Sequence, residues 1–385
     1  MSATKIRGIT VITTLAGVSF LNTMGSGILI AALPRISRDV GLPQALILWP
    51  AVVYALAAGC LLLIFGAVAD VIGAKLMWIV GSFLYCGFTV AVGLSQTGIQ
   101  IILFRTFLGI AIAMCLPTTM GLISHTFPKA SIWSLPAVHH RTEKKWTRRL
   151  AEDIDWVGAV LVKHSRPALI PNKLWRNPAF TSICVSVFFC WASLNGIEYF
   201  CTLYFQEVES ITALQSSLRF IPHPIVGTIV NIATAYLISR VKVQTLGVVS
   251  AVVTMIAPIL MATINVGENY WFAPFWALVL SPVNPDVLFT ASNLVISDAF
   301  PSHVQSLAGG VFNEVAQFGN SVGLAVTAAI AASVTEHSSP GGDDKAALMK
   351  GYRAAFWTIF ASTAVVVVVT FFGLKRGGTV GKKDD

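Results

Sequence analysis

Long apolar runs alternate with short polar breaks along almost the whole chain. Runs of about 18 or more apolar residues read as membrane-spanning helices. About ten such runs occur, at roughly 8–33, 45–71, 75–95, 100–127, 179–206, 213–239, 243–265, 271–298, 304–335 and 347–374. Pro34 closes the first. Backbone groups in lipid must be bonded within their own segment, so the spans are helices. One longer polar stretch breaks the rhythm. The pattern therefore predicts an all-α, polytopic membrane protein. It has a four-helix bundle over 1–128, a basic linker over 129–178, a six-helix bundle over 179–375 and a tail over 376–385.

Composition agrees with that class. The chain is 55% hydrophobic and only 11% charged, where a soluble domain carries about 25% charged residues. A net charge of +8 in a soluble protein points to nucleic acid. Here the basic residues sit in the breaks between spans, so they report topology and no nucleic-acid partner is expected. Lys5, Arg7, Lys75, Arg240, Lys242, the tail lysines and the basic central stretch fall on one side if the spans are counted as above. Arg35 and Arg38 are exceptions. The rule places both termini and the central stretch in the cytoplasm; the membrane is expected to be the plasma or the vacuolar membrane, with no choice between them in the sequence. Within that stretch, Trp146, Leu150, Ile154 and Val157 stand at helical spacing. An interfacial helix and an ordinary solvated linker are both open readings.

Little in the chain resembles catalytic or metal chemistry. All six cysteines lie in or beside apolar runs, with no CxxC or Cys/His spacing, so they read as packing residues. His139 and His140 have no ligand spacing around them. No nucleophile–base set or phosphate loop appears, and neither a cofactor nor a metal is expected. The first apolar run is too long for the core of a signal peptide and reads as a retained span.

Ionisable residues inside lipid are costly, so each is a candidate site. Asp286 is the sharpest. It sits in "SPVNPDVLFTASN" near the middle of its span, behind Pro282 and Pro285, with Asn284 and Asn293 beside it. The prolines must free backbone carbonyls. A kinked polar segment usually lines water rather than lipid, and a buried Asp satisfied by neighbouring helices is the competing reading. Glu198 lies in "WASLNGIEYF", one turn after Asn195. Glu314 lies in "GGVFNEVAQFGNSVG" among Asn313, Gln317 and Asn320. Either acid is a candidate proton carrier, because burial favours the neutral form. A structural hydrogen-bond network is the competing reading. Arg105 either snorkels to the interface or faces a cavity. Asn22, beside Gly25 and Gly27, is a weaker candidate. Gly319 and Gly323 form GxxxG, which signals close packing.

The turn "GAVADVIGAKL" resembles the signature loop of the major facilitator superfamily, with Gly66, Asp70, Gly73 and Lys75 matching. Val71 and Ala74 stand where that family usually has basic residues. "RTFLG" resembles the family's R-x-x-x-G motif, through Arg105 and Gly109. "LWRNPAF", "ALQSSLRFIP" and "QSLAGGVFNEVAQFGNSVG" resemble the fungal drug:proton antiporter-2 family, in its aminotriazole-resistance branch. The resemblance implies export of a drug-like compound, borate or ammonium, driven by protons. It also implies a signature loop that stabilises one conformer, and an arginine that takes part in proton coupling. That family has fourteen spans. Here "HTFPK" runs directly into "ASIWSLPAVHH", and a second break falls at "DWVGAVLVKHSRP". Two pairs of helices are missing against the family pattern, leaving four helices plus six. Two expectations follow. One is a proton-coupled secondary transporter using Asp286, Glu314, Arg105, Glu198 and Asn22. The other is a shortened, non-transporting membrane protein or transporter-binding remnant.

Overall fold

The structure is a computed structural model, and it describes residues 3–41, 46–126, 174–299, 302–338 and 344–374. Their regular structure is helical, joined by short turns, with no strand among them. Twelve α-helices are described: α1 (Ala3–Asp39), α2 (Trp49–Ile72), α3 (Ala74–Gly93), α4 (Gly98–Thr126), α5 (Pro178–Leu203), α6 (Ala213–Arg219), α7 (Pro222–Leu237), α8 (Val243–Thr263), α9 (Pro274–Leu280), α10 (Val283–Ala299), α11 (Ser302–His337) and α12 (Asp344–Gly373). Eight helical segments among the described residues are long and apolar enough to cross a membrane. Large apolar side chains such as Phe83 on α3 and Ile232 on α7 point outward, as lipid-facing positions do.

Two predicted spans look different in three dimensions. The first does not close at Pro34. The helix carries Pro34 inside it and continues to Asp39. A proline removes one backbone donor, but Val40 N–H still bonds Ile36 O at 3.0 Å and Arg35 pairs with Asp39. The span predicted over 271–298 is broken into α9 and α10, as Pro282 and Pro285 demand. The amphipathic spacing around Trp146 and the histidines 139 and 140 lie outside the described residues.

The chain divides into two compact units. The first comprises Met1–Gly27, Val53–Arg176 and Phe300–Glu314, and the second Ile28–Val52, Asn177–Ala299 and Val315–Asp385. In the first, α3 packs on α4 where Gly81 faces Cys115 and the Ala111 carbonyl. Tyr54, Ala58, Leu108, Ala111 and Ile112 form its core. The turn into α3 is made by Gly73 at φ 112°, a conformation open to glycine and strained for other residues. In the second unit, Asn177 caps α5 by accepting from Ala179 N–H and Phe180 N–H at 3.0 and 3.3 Å, with Pro178 in the first turn. Such a cap satisfies amides that the helix itself cannot. Gly319 and Gly323 of α11 lie against the Phe188 carbonyl and Ala192 of α5, so the GxxxG pair does serve packing. Phe200, Tyr204, Phe205, Met261, Tyr352 and Phe356 fill the core around them.

Candidate functional site

The richest polar assembly in the second unit is built on the break between α9 and α10. A proline at 282 cannot donate to the Leu278 carbonyl, and the Ser281 hydroxyl donates to that carbonyl instead, at 3.2 Å. At the next opening, the Thr254 hydroxyl of α8 inserts between Leu280 and Asn284. It donates to Leu280 O at 3.0 Å and accepts from Asn284 N–H at 2.9 Å. One side chain thus bridges a helical bond that the break has opened. The Asn284 side chain is almost completely buried and fully engaged. Its amide donates to Ser250 Oγ at 3.0 Å and to Gly247 O at 3.4 Å, and its carbonyl accepts from the Cys190 thiol at 3.0 Å. Asn284 therefore holds α5, α8 and α10 together.

Asp286 follows, with its own amide bonded to Pro282 O at 3.1 Å. Its carboxylate lies against Gly227 of α7 so closely that a Cβ there would stand 2.7 Å from Oδ2. Asn231, one turn further along α7, lies close to the same carboxylate. It also donates to Gly227 O at 3.1 Å and accepts from the Thr290 hydroxyl at 3.1 Å. One turn before Gly227 stands His223. Its Nε2 is 3.2 Å from Glu198 Oε1 on α5, and its Nδ1 is 3.0 Å from Ser281 Oγ. Residues 223, 227 and 231 are spaced by four, so they share one face of α7. The opposite face carries Ile225, Ile229 and Ile232 outward. Predicted residues Glu198, Asp286 and Asn284 are therefore gathered into one neighbourhood. Asn195 joins α5 to α11 through a hydrogen bond to Asn320, which in turn reaches Gln317 at 3.4 Å.

His223 was not among the sequence-derived candidates. The available signal was a histidine between two prolines in "FIPHPIVG" inside an apolar run. The partner that gives it meaning is on another helix and is invisible to local pattern.

The first unit holds the remaining candidates. Arg105 is 6% exposed, so it does not snorkel. Its guanidinium lies 4.5 Å from the centre of the Tyr54 ring on α2. The Tyr54 hydroxyl donates to Asn22 of α1, so Arg105, Tyr54 and Asn22 form one cluster. Gly109, one turn after Arg105, faces the Tyr54 carbonyl and Ala58 amide, which lets α4 lie directly on α2. Glu314 is half-buried on α11 near Cys60 of α2, and Asn313 donates to Gly309 O at 2.9 Å. In the signature turn, Gly66 packs on Pro117 of α4, Gly73 opens α3 and Lys75 is exposed. The side chains of Asp70 and Asn293 lie outside the described residues. No group of residues suited to hold a metal ion occurs among those described.

Comparison with known proteins bears on the whole chain. The family model "Major Facilitator Superfamily" matches residues 15–132 and 130–324. "MFS-type transporter 1" of Pyricularia oryzae is 38% identical in a 524-residue alignment covering 98% of this chain and 85% of that protein. A "Low affinity ammonium transporter" of Saccharomyces cerevisiae is 30% identical over 192 residues, 50% of this chain and 35% of that protein. Among solved structures, an inward-facing bacterial homologue of the human lysosomal transporter Spinster superposes with a TM-score of 0.67. It does so at 12% identity, covering 98% of this chain and 99% of that one. The helical architecture, the signature turn around Gly73, the Arg105–Gly109 pair and these matches lead to one assignment: the chain is an integral membrane transporter of the major facilitator superfamily, and not an enzyme.

Proposed function

We propose that the chain is a proton-coupled secondary transporter of the drug:proton antiporter-2 type. It exports a small solute, in the class of drug-like compounds, borate or ammonium, with both termini and the 129–178 stretch in the cytoplasm. The observation that carries this reading is the placement of Glu198 and His223 together on two helices long and apolar enough to span a membrane, with Asp286 on the neighbouring α10, where a bare charge is costly. Alternating access needs no covalent chemistry. Protonation of an internal acid changes its charge, and that changes the relative stability of outward- and inward-open conformers. Asp286 and Glu198 are the proton carriers in one unit and Glu314 in the other. Arg105 with Asn22 supplies a fixed positive charge, Asn284 holds the α9–α10 break in shape, and Asn293 is a further polar candidate in the α10 sequence. The signature residues Gly66, Asp70, Gly73 and Lys75 bias the conformers. The name of the ammonium-transporting relative supports the substrate class.

The test is transport by purified protein in sealed vesicles with an imposed pH gradient, using methylammonium, boric acid and aminotriazole as probes. Proton-driven movement of one of them is expected, and Asp286→Asn should abolish its pH dependence while inserting normally into membranes. Unchanged proton-driven flux in that variant overturns the role of Asp286.

A second reading has its own support. The alignment with the Pyricularia transporter runs over 524 residues, and this chain has 385. That difference favours internal loss of helix pairs, leaving four helices before the linker and six after it. A chain so shortened is a non-transporting remnant or a binding partner of other transporters. Absence of flux for every probe, beside activity of a longer form, decides for it.

A further inference from the structure

We infer that His223 is a positioning residue that holds a proton between Glu198 and Asp286, so that these three side chains act as one charge-holding unit. The inference rests on the proton-coupled reading above and adds a residue to it.

The geometry is specific. His223 faces an acid on α5, since its Nε2 is 3.2 Å from Glu198 Oε1. Its other nitrogen faces the Ser281 hydroxyl at the α9–α10 break, whose own proton is directed to Leu278 O. The serine oxygen can then accept from His223 Nδ1–H, the tautomer that leaves Nε2 free to exchange a proton with Glu198. With Nδ1 carrying its hydrogen towards Ser281, Nε2 is the nitrogen that takes or loses the mobile proton, and it points at Glu198. A proton there converts a polar contact into a charge-assisted bond. The second acid comes from α10. Asp286 packs on Gly227, one turn along α7 from His223, and acts electrostatically on the ring. Among the described residues, Glu198 and Asp286 are the acidic groups acting electrostatically on His223.

Charge counting gives the site its function. With the proton on His223, two carboxylates and one imidazolium leave a single net negative charge. When the proton passes to Glu198, the imidazole and that acid are both neutral and the net charge is unchanged. When it departs to water, two carboxylates remain with no counter-charge among the three, which is costly in a membrane. His223 thus sets how many charges the unit carries. Asn231 is exposed and bonded to Thr290 and to the Gly227 carbonyl, so the polar stripe on α7 continues from the enclosed ring to the surface of its unit. The Gly227 position is essential to this layout, because any side chain there displaces the Asp286 carboxylate.

The direct test reads the ring itself. The full chain, with every histidine except His223 replaced and 15N-histidine incorporated, is placed in lipid nanodiscs and examined by NMR at neutral pH. The imidazolium signature is expected in this background and the neutral-ring signature after Glu198→Gln. Asp286→Asn is the second variant, and it should shift the balance the same way by a smaller amount. A neutral ring in the starting background overturns the inference, as does a ring whose charge state is the same in all three proteins. The measurement does not depend on flux. A charged, acid-dependent ring in a chain that moves no probe supports the inference and removes the transporter reading. Proton-driven flux with a neutral ring does the reverse.

Discussion

Arg105 on α4 and His223 on α7 are each followed, four residues later, by a glycine facing another element of the same unit. Gly109 admits the α2 backbone at Tyr54. Gly227 admits the Asp286 carboxylate. The same spacing therefore produces two different devices. Arginine keeps its charge at every accessible pH, and here it is stacked on an aromatic ring whose hydroxyl is tied to Asn22. That cluster is a permanent positive post. Histidine gains and loses its charge near neutrality, and here Glu198 stands at its Nε2 and Asp286 lies one turn along the helix, against Gly227. A pH gradient acts only on the second arrangement. The first keeps its one positive charge whatever the pH.

Breaking the permanent cluster should cost most at Gly109. Leucine there meets backbone atoms of α2, which cannot rotate away as a side chain does. Overpacking of this kind costs about 1–3 kcal/mol, so Gly109→Leu should lower the unfolding free energy in mixed detergent micelles by that amount or prevent accumulation in the membrane. Arg105→Lys comes next. It preserves the charge but loses the planar stack over Tyr54, worth about 0.5–2 kcal/mol. The same unfolding measurement should find that loss, and it should shrink when Tyr54 is already replaced by leucine. Tyr54→Phe is smaller still. It keeps the ring under the guanidinium and removes only the donor to Asn22, a change of about 1 kcal/mol. A Tyr54→Phe loss equal to that of Gly109→Leu would mean that the hydroxyl, and not the helix contact, organises the cluster.

These clusters were unequally legible in the sequence. The helical class follows from run length alone, because lipid leaves the backbone few choices. The break at Pro282 was also local, since a proline removes a donor wherever it stands. Arg105 with Gly109 could be read as a motif, yet its fate could not. Tyr54 lies on a different helix, and burial against its ring replaced the expected choice between snorkelling and a cavity. His223 was overlooked for the same physical reason. A single histidine in an apolar run has no meaning until Glu198 and Asp286, far away in sequence, are brought to it. Pro34 shows the opposite failure, in which a strong local signal was overridden by bonds formed beyond it.

Gly227→Ala sharpens the comparison because its stability effect should be the smallest. Alanine is the better helix former by about 0.8–1 kcal/mol. Against that gain stands a Cβ placed 2.7 Å from Asp286 Oδ2, too close to coexist with it. The obstructing atom is the tip of a side chain, so the carboxylate swings aside and no backbone has to move. The two contributions nearly offset, and the unfolding free energy should match the parent within about 0.5 kcal/mol. The electrostatic consequence is separate. With Asp286 displaced, the His223 ring should respond to Glu198→Gln as before but no longer to Asp286→Asn, as read by the same 15N signal. A methyl group at Gly109 enjoys no such freedom, because the atoms it meets are backbone. If Gly227→Ala instead destabilised the protein as strongly as Gly109→Leu, the α7 glycine would be a packing contact like its counterpart on α4, and the contrast between a fixed and a switchable charge would lose its structural basis.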